Sequence, residues 1–292
     1  MILDLLEKRN YRKFMRPINE LIIGDTLKTL QKIDSDYFDL SISSPPYNKG
    51  KNQGDIIKKV EYDSYDDNLP EEVYQEHQIK VLNEVFRTIK PGGSFFYNHK
   101  CRWENGSMIH PITWLSKTQW TIKQEIIWNR KITGNLRGWR FWQMDERIYW
   151  LYKPNDSKIG KELLAKHASM TGIWDIMPEN KNPHPAPFPL DIPARIIYSL
   201  FDDNKDKIVL DPYVGSGTVP LAAKLFGCSY CGIDISEKYL DMAKDKLENY
   251  NNYIGIYQNE IDKHVIKGIT YQERKKRKQE KQNKLNGTEE NI

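Results

Sequence analysis

The sequence is short of most features that would mark a secreted, membrane or metal-dependent protein. Three cysteines in 292 residues are an odd and small number. They cannot form a disulfide framework, so a reducing, cytoplasmic setting is expected. No apolar run reaches the ~18 residues that a membrane-spanning helix needs. The opening MILDLLEKRNYRKFMRP breaks its short apolar stretch with charge and offers no small-residue cleavage site, which argues against a secretory signal. Cys228 and Cys231 form a CxxC, but no second pair completes a zinc site, so no metal is expected. A G-K-[ST] phosphate loop and a GxGxxG are also missing. There is little excess of charge: the net is +4, and residues 262–292 hold all of it, with nine Lys/Arg against five Asp/Glu. The body is balanced. The tail, centred on Arg274–Lys278, is either a solvated segment or a salt-sensitive arm for phosphates.

What is present alternates between strand and helix patterns. YFDLSIS (37–43) and KIVLDPY (207–213) are apolar runs that end in unusual turns. SFFYNH (94–99), EIIWNR (125–130), RIYWLYK (147–153) and SYCGIDI (229–235) are further strand candidates. Val73, His77, Val81, Val85 and Ile89 predict a helix over 70–90, stopped by Pro91-Gly92-Gly93. Residues 190–202, 217–227 and 236–249 also read as helices. This alternation predicts an α/β protein with a doubly wound, mostly parallel sheet. The organisation expected is a basic N-terminal segment (1–20), a main domain (21–261) and a basic tail (262–292). Within the domain, 21–130 would form one half, 184–261 the other, and 131–183 an inserted recognition region with weak periodicity.

Two turns carry the chemistry. Asp211-Pro212-Tyr213-Val214-Gly215-Ser216-Gly217-Thr218 lies between a strand and a helix, where glycines admit a ligand to the backbone and the helix start offers N–H groups. Asp234 ends the next strand, placed to accept from two ribose hydroxyls. Without a phosphate loop, this set suits an adenosine lacking phosphates, as in S-adenosylmethionine. Read alone, the glycine turn is also compatible with a ligand-free bend. Ser44-Pro45-Pro46-Tyr47 follows the other strand. Its prolines remove N–H donors and fix carbonyl acceptors. Ser44 Oγ and a carbonyl can then grip an NH2 group while Tyr47 covers a planar ring. A rigid turn with no ligand is the plainer alternative.

SSPPYN with VLDPYVGSGT resembles the bacterial DNA amino-methyltransferases, in which a [DNS]PP[YFW] tetrapeptide holds the target amine. The catalytic motif precedes the cofactor motif, as in the beta group found in restriction–modification systems. GDTLKTL (24–30), KPGG (90–93) and HPAPFPLDIPARII (184–197) are similar to other segments of that group, so the likeness spans roughly residues 20–250. It implies a Rossmann-like fold dependent on S-adenosylmethionine, acting on double-stranded DNA alongside a cognate restriction endonuclease, as monomer or homodimer. It puts Ser44, Pro45, Pro46 and Tyr47 at the base. Asp211, Tyr213, Gly215, Ser216, Gly217, Thr218 and Asp234 would surround the cofactor, with Phe188 and Pro189 as a wall. Tyr213 stands where phenylalanine is more usual.

Because the target amine is stacked inside a duplex, the nucleotide must be flipped out, and no cysteine nucleophile is required. His184 reads as a loop-fixing residue. Trp128, Trp139, Phe141 and Trp142 read as core, while Arg137 and Arg140 among them, with Lys275 and Arg277 in the tail, are candidate DNA contacts. Ser44 and HPAPFP resemble the cytosine-N4 enzymes more than the adenine-N6 ones, which implies cytosine N4 as the target. Adenine N6 is the main alternative. A protein or RNA amide methyltransferase, or a catalytically silent DNA-binding module, are weaker ones.

Overall fold

The computed structural model describes residues 14–48, 63–64, 67–132, 138–155, 171–179, 188–201, 204–254 and 279–280. Arg137, His184, Lys275 and Arg277 lie outside them, as do residues 1–13 and almost all of the tail.

Ten strands and six helices are described. The strands are β1 (Glu20–Ile23), β2 (Phe38–Ser43), β3 (Ile89–His99), β4 (Arg102–Glu104), β5 (Ser107–Ile109), β6 (Thr121–Asn129), β7 (Asp145–Tyr152), β8 (Ile173–Asp175), β9 (Ile208–Asp211) and β10 (Ser229–Asp234). The helices are α1 (Thr26–Leu30), α2 (Glu71–Thr88), α3 (Ile112–Leu115), α4 (Asp191–Leu200), α5 (Thr218–Leu225) and α6 (Glu237–Glu248). Eight strands form one sheet in the order β1-β10-β9-β2-β3-β7-β6-β8, and β4 with β5 makes a separate hairpin. From β1 to β3 all neighbours are parallel; β7 runs antiparallel to β3 and β6.

Strand alternation divides the core in two. Phe95, Tyr97, Tyr149, Leu151 and Leu210 face α1, α2 and α3, whereas Phe96, Ile148, Trp150 and Val209 face α4 and α5. The central strands β2 and β9 are buried almost throughout, as a sheet covered on both faces requires. The result is the expected doubly wound α/β architecture.

Three details differ from the sequence reading. Val73 is exposed, and the buried stripe of α2 runs through Tyr74, Gln78, Val81, Leu82, Val85 and Thr88. A strict spacing of four drifts by about 40° per step around a helix of 3.6 residues per turn, so Val73 and Ile89 do not share a face. Second, α2 stops at Thr88, before the Pro-Gly-Gly. Phe38 pairs with Ile89 but Leu40 pairs with Ser94, so Lys90–Gly93 bulge out of the ladder. Gly93 permits this: a Cβ there would meet the carbonyl oxygens of Asp39 and Lys90, each at 2.9 Å. Third, described parts of the expected insertion 131–183 belong to the main sheet. They include β7, an interior strand of the sheet, and β8, its edge. Apolar residues with long-range partners make β7 a sheet strand whatever surrounds it. No helix among the described residues is long and apolar enough to cross a membrane.

Candidate active site

The loop after β9 leads through α5 to β10 on one side, and β2 leads through α2 to β3 on the other. Their adjacent carboxyl ends are thus the point where crossovers diverge, which opens a crevice in sheets of this kind. Ser43 Oγ donates to Asp211 Oδ1 at 2.7 Å, and Ser41 Oγ donates to the Leu210 carbonyl at 3.1 Å. These bonds join two turns that lie far apart in the chain.

On the β2 side, Ser44, Pro45, Pro46 and Tyr47 all line one cavity. The Pro46 carbonyl accepts from the Tyr74 hydroxyl at 2.8 Å, which anchors the turn to α2. Asn48, at a left-handed φ of 53°, closes the turn. Its amide group exchanges hydrogen bonds with the backbone of Leu69, and its own N–H donates to Asp67, which ties the motif to the start of α2. The Tyr47 ring is 5% exposed and sits 4.6 Å from the His99 ring. Its hydroxyl enters a buried polar cluster formed with Ser44, Asn98 and Glu146. Arg130 binds the other oxygen of Glu146 at 3.1 Å. Sequence reading missed Asn98, Glu146 and Arg130. Asn98 lies in β3, Glu146 in β7 and Arg130 just after β6, so they form no linear motif; the available signal was a polar residue at or beside the end of each apolar run.

On the β9 side, Asp211 is buried, and burial lifts its carboxyl to about 7, against the opposing pull of the Ser43 and Tyr213 hydrogen bonds. Asp234 accepts from Gly215 N–H at 2.8 Å through one oxygen and from Ser236 N–H at 2.9 Å through the other. Burial raises its carboxyl too. Each carboxylate oxygen keeps a second lone pair, so both can still accept from a ligand. Tyr213, Gly215 and Asp234 face the main cavity. Ser216 and Thr218 line a smaller one with Phe188 and Asp211, and both hydroxyls accept from Lys246 of α6. Gly217 instead abuts Ala243 of α6, and Pro189 is buried at the start of α4.

The main cavity and a smaller one beside it share Ser44, Tyr213 and Gly215 and form one site open to solvent. Asp25, Thr26, Ser64, His77, Ile235, Ser236 and Tyr239 complete the lining of the main cavity. Thr26 is held there by donating to the Pro212 carbonyl at 2.8 Å.

The link between β6 and β7 projects from this same end of the sheet. Trp128 is buried, with its indole N–H on the Ile176 carbonyl. Trp139, Phe141 and Trp142 are exposed, contrary to their reading as core, because this link leaves the sheet before they occur. The Arg140 guanidinium lies 3.8 Å from the centre of the Trp103 ring. All three cysteines are free and buried, and no group of metal-ligating side chains gathers among the described residues.

Comparison with known proteins agrees with this geometry. Residues 38–245 match the model of the DNA methylase family N6_N4_Mtase. Type II methyltransferase M.HpaI of Haemophilus parainfluenzae is 28% identical over 258 residues, covering 80% of this chain and 75% of that one. The DNA adenine methyltransferase YhdJ of Escherichia coli K12 is 28% identical over 271 residues, covering 82% and 86%. Among solved structures, the cytosine-N4-specific PvuII DNA methyltransferase superposes with a TM-score of 0.59 at 17% identity, covering 83% and 94%. A DNA modification methylase of Thermus thermophilus, TTHA0409, complexed with S-adenosyl-L-methionine, does so at 0.58 and 23%, covering 79% and 93%. The family match takes in both chemistry-bearing turns and more than two thirds of the residues, so the chain belongs to the DNA methylases that modify amino groups at cytosine N4 or adenine N6.

Proposed function

We propose that this chain transfers a methyl group from S-adenosylmethionine to cytosine N4 in double-stranded DNA. The observation that carries the reading is the Ser43–Asp211 hydrogen bond, which sets the amine-gripping turn against the glycine turn across one cavity. The residues present fit the cofactor. Asp234 offers acceptors for ribose hydroxyls, Gly215 leaves its loop open, Tyr213 and Phe188 supply apolar wall, and buried Asp211 suits a cationic ligand. The cofactor supplies the electrophilic methyl group.

The protein's share is binding and alignment. The target nucleotide leaves the stack, at a cost of a few kcal/mol, and its NH2 meets Ser44 Oγ and the Pro45 carbonyl. Those acceptors draw the two hydrogens aside and turn the nitrogen lone pair towards the methyl donor. Fixed dipoles and orientation carry most of such a barrier. Tyr47 covers the base, and Arg140 with its aromatic neighbours contacts the DNA at the rim. Cytosine is taken over adenine because the serine form of the motif at Ser44 resembles that of the cytosine-N4 enzymes; the hydrogen bonding at Ser44 suits either amine. Incubating DNA with the enzyme and cofactor, digesting it to nucleosides and running mass spectrometry is expected to give N4-methylcytosine. N6-methyladenine alone would refute the cytosine assignment and leave the amine chemistry standing.

The basic tail adds phosphate affinity without reading sequence. Deleting 268–292 is expected to leave the methylated sequence unchanged, weaken DNA binding most at low salt, and reduce the slope of log affinity against log salt. A changed recognition sequence would assign the tail to base readout instead.

A further inference from the structure

The geometry points to Glu146 as a positioning residue that makes Ser44 an obligate hydrogen-bond acceptor, so that the site selects an amine over a carbonyl on the target base. This rests on the proposed amine chemistry at Ser44 and adds to it a source of base discrimination.

The argument follows the hydrogens. Glu146 is 6% exposed, and its Oε1 faces Arg130 Nη1 at 3.1 Å. A carboxylate so paired has only acceptors to offer. Its Oε2 is 2.8 Å from Tyr47 Oη and 3.0 Å from Asn98 Nδ2. Tyr47 has one proton, and the carboxylate takes it. Tyr47 Oη lies 2.7 Å from Ser44 Oγ, a contact in which either hydroxyl could donate in isolation. With the tyrosine proton committed to Glu146, Ser44 must be the donor. The serine proton is therefore turned away from the cavity, and a lone pair of Oγ remains for a ligand beside the one that Asn98 Nδ2 meets at 3.2 Å. Asn98 supports the same polarity. Its NH2 points at Ser44 Oγ, Tyr47 Oη and Glu146 Oε2, while its buried Oδ1 has no hydrogen-bond partner among the described residues. The cluster demands donors on that side.

The chain of donation runs Ser44 to Tyr47 to Glu146. A neutral serine wired in this way presents to the base what an aspartate would. It accepts from the NH2 of cytosine or adenine and has no proton for the keto oxygen of their deaminated counterparts.

Glu146→Gln tests this. Arg130 holds the amide oxygen, so the new NH2 falls where Oε2 was and donates to Tyr47, and Asn98 must turn. The chain reverses, and the serine proton enters the cavity. With a neutral cofactor product in place, wild type is expected to bind DNA carrying the amine base at least ~10-fold better than DNA carrying uracil or hypoxanthine there, because an unmatched buried polar group is costly. In Glu146→Gln that preference shrinks to about threefold or less and kcat falls at least ~10-fold, with cofactor affinity unchanged. Tyr47→Phe removes the middle of the chain but keeps the ring. It is expected to give a similar loss, and the double variant no further loss, since residues acting in one chain are not additive.

Unaltered base preference and kcat in Glu146→Gln would overturn the proposal. Additive losses in the double variant would also overturn it. Should Glu146→Gln not fold, a Tyr47→Phe protein with wild-type kcat and base preference would do the same. A wild-type enzyme that methylates no DNA amine at all would instead count against the proposed function.

Discussion

Gly217→Ala is expected to be among the most destabilising single-methyl additions in this protein. Gly217 stands at the N-cap of α5 with a left-handed φ of 81°. An L-residue pays roughly 1–2 kcal/mol to adopt that region. The added Cβ would also lie 2.6 Å from Ala243 Cβ and 2.7 Å from Ala243 Cα, on the backbone of α6. Neither atom can swing aside, and forced overpacking costs about 1–3 kcal/mol more. Together these give ~2–5 kcal/mol, or a fall in Tm of roughly 5–15 °C for a domain of this size. Ala243→Gly alone should cost ~1 kcal/mol as a glycine inside a helix. Combined with Gly217→Ala it should recover part of the loss, because it removes the nearer of the two clashing atoms. Thermal melts of the three variants decide the matter. A Gly217→Ala protein melting within about 1 °C of wild type would show that α5 and α6 separate easily, against the close approach described.

The same residue shows how far sequence could be read. The glycine turn was legible because it combines a buried strand, a helix start and an acid one strand later. Which glycine faces the ligand was not legible, since that depends on α6 arriving from beyond β10 to press on Gly217. The central strands were legible because both faces are covered and their apolar runs are continuous. The edge strands β1 and β8 and the hairpin β4–β5 were not, because three or four residues with one covered face carry almost no pattern. Likewise Ser44 and Tyr47 stand in a contiguous motif, while Asn98, Arg130 and Glu146 meet them only through the pairing of β3, β7 and β6. A local motif supplies the groups that touch the substrate. The residues that set their polarity are chosen by topology.

Asp211→Asn is expected to stabilise the ligand-free protein at neutral and alkaline pH while weakening its hold on the cofactor. The Asp211 carboxyl is raised from 3.8 to about 7, first by burial and in lesser part by the charge of Asp234. As pH climbs past about 4, the unfolded chain gives up this proton while the folded protein keeps it to about pH 7. Across that window the folded state binds more protons than the unfolded one, so stability falls with rising pH. The loss is complete above pH 7 and amounts to at most about 4 kcal/mol at 1.36 kcal/mol per pH unit. Asparagine is nearly isosteric, does not ionise, and its Oδ1 can still accept from Ser43 Oγ and Tyr213 N–H. The stability difference between variant and wild type should therefore be small near pH 4–5 and grow towards pH 8. Asp234 shifts in the same direction, but it is present in both proteins and largely cancels in the difference. A cationic cofactor favours the ionised carboxylate, so wild-type affinity for S-adenosylmethionine should rise with pH up to about 7 and then level off. In Asp211→Asn that dependence should flatten and affinity at pH 8 should fall. Urea melts of the ligand-free proteins at several pH values, with calorimetry of cofactor binding across the same range, test both halves. Parallel stability curves for the two proteins would mean that Asp211 is ionised in the folded state at every pH above 4. The charge would then be a standing feature of the cavity and not one that the cofactor draws out.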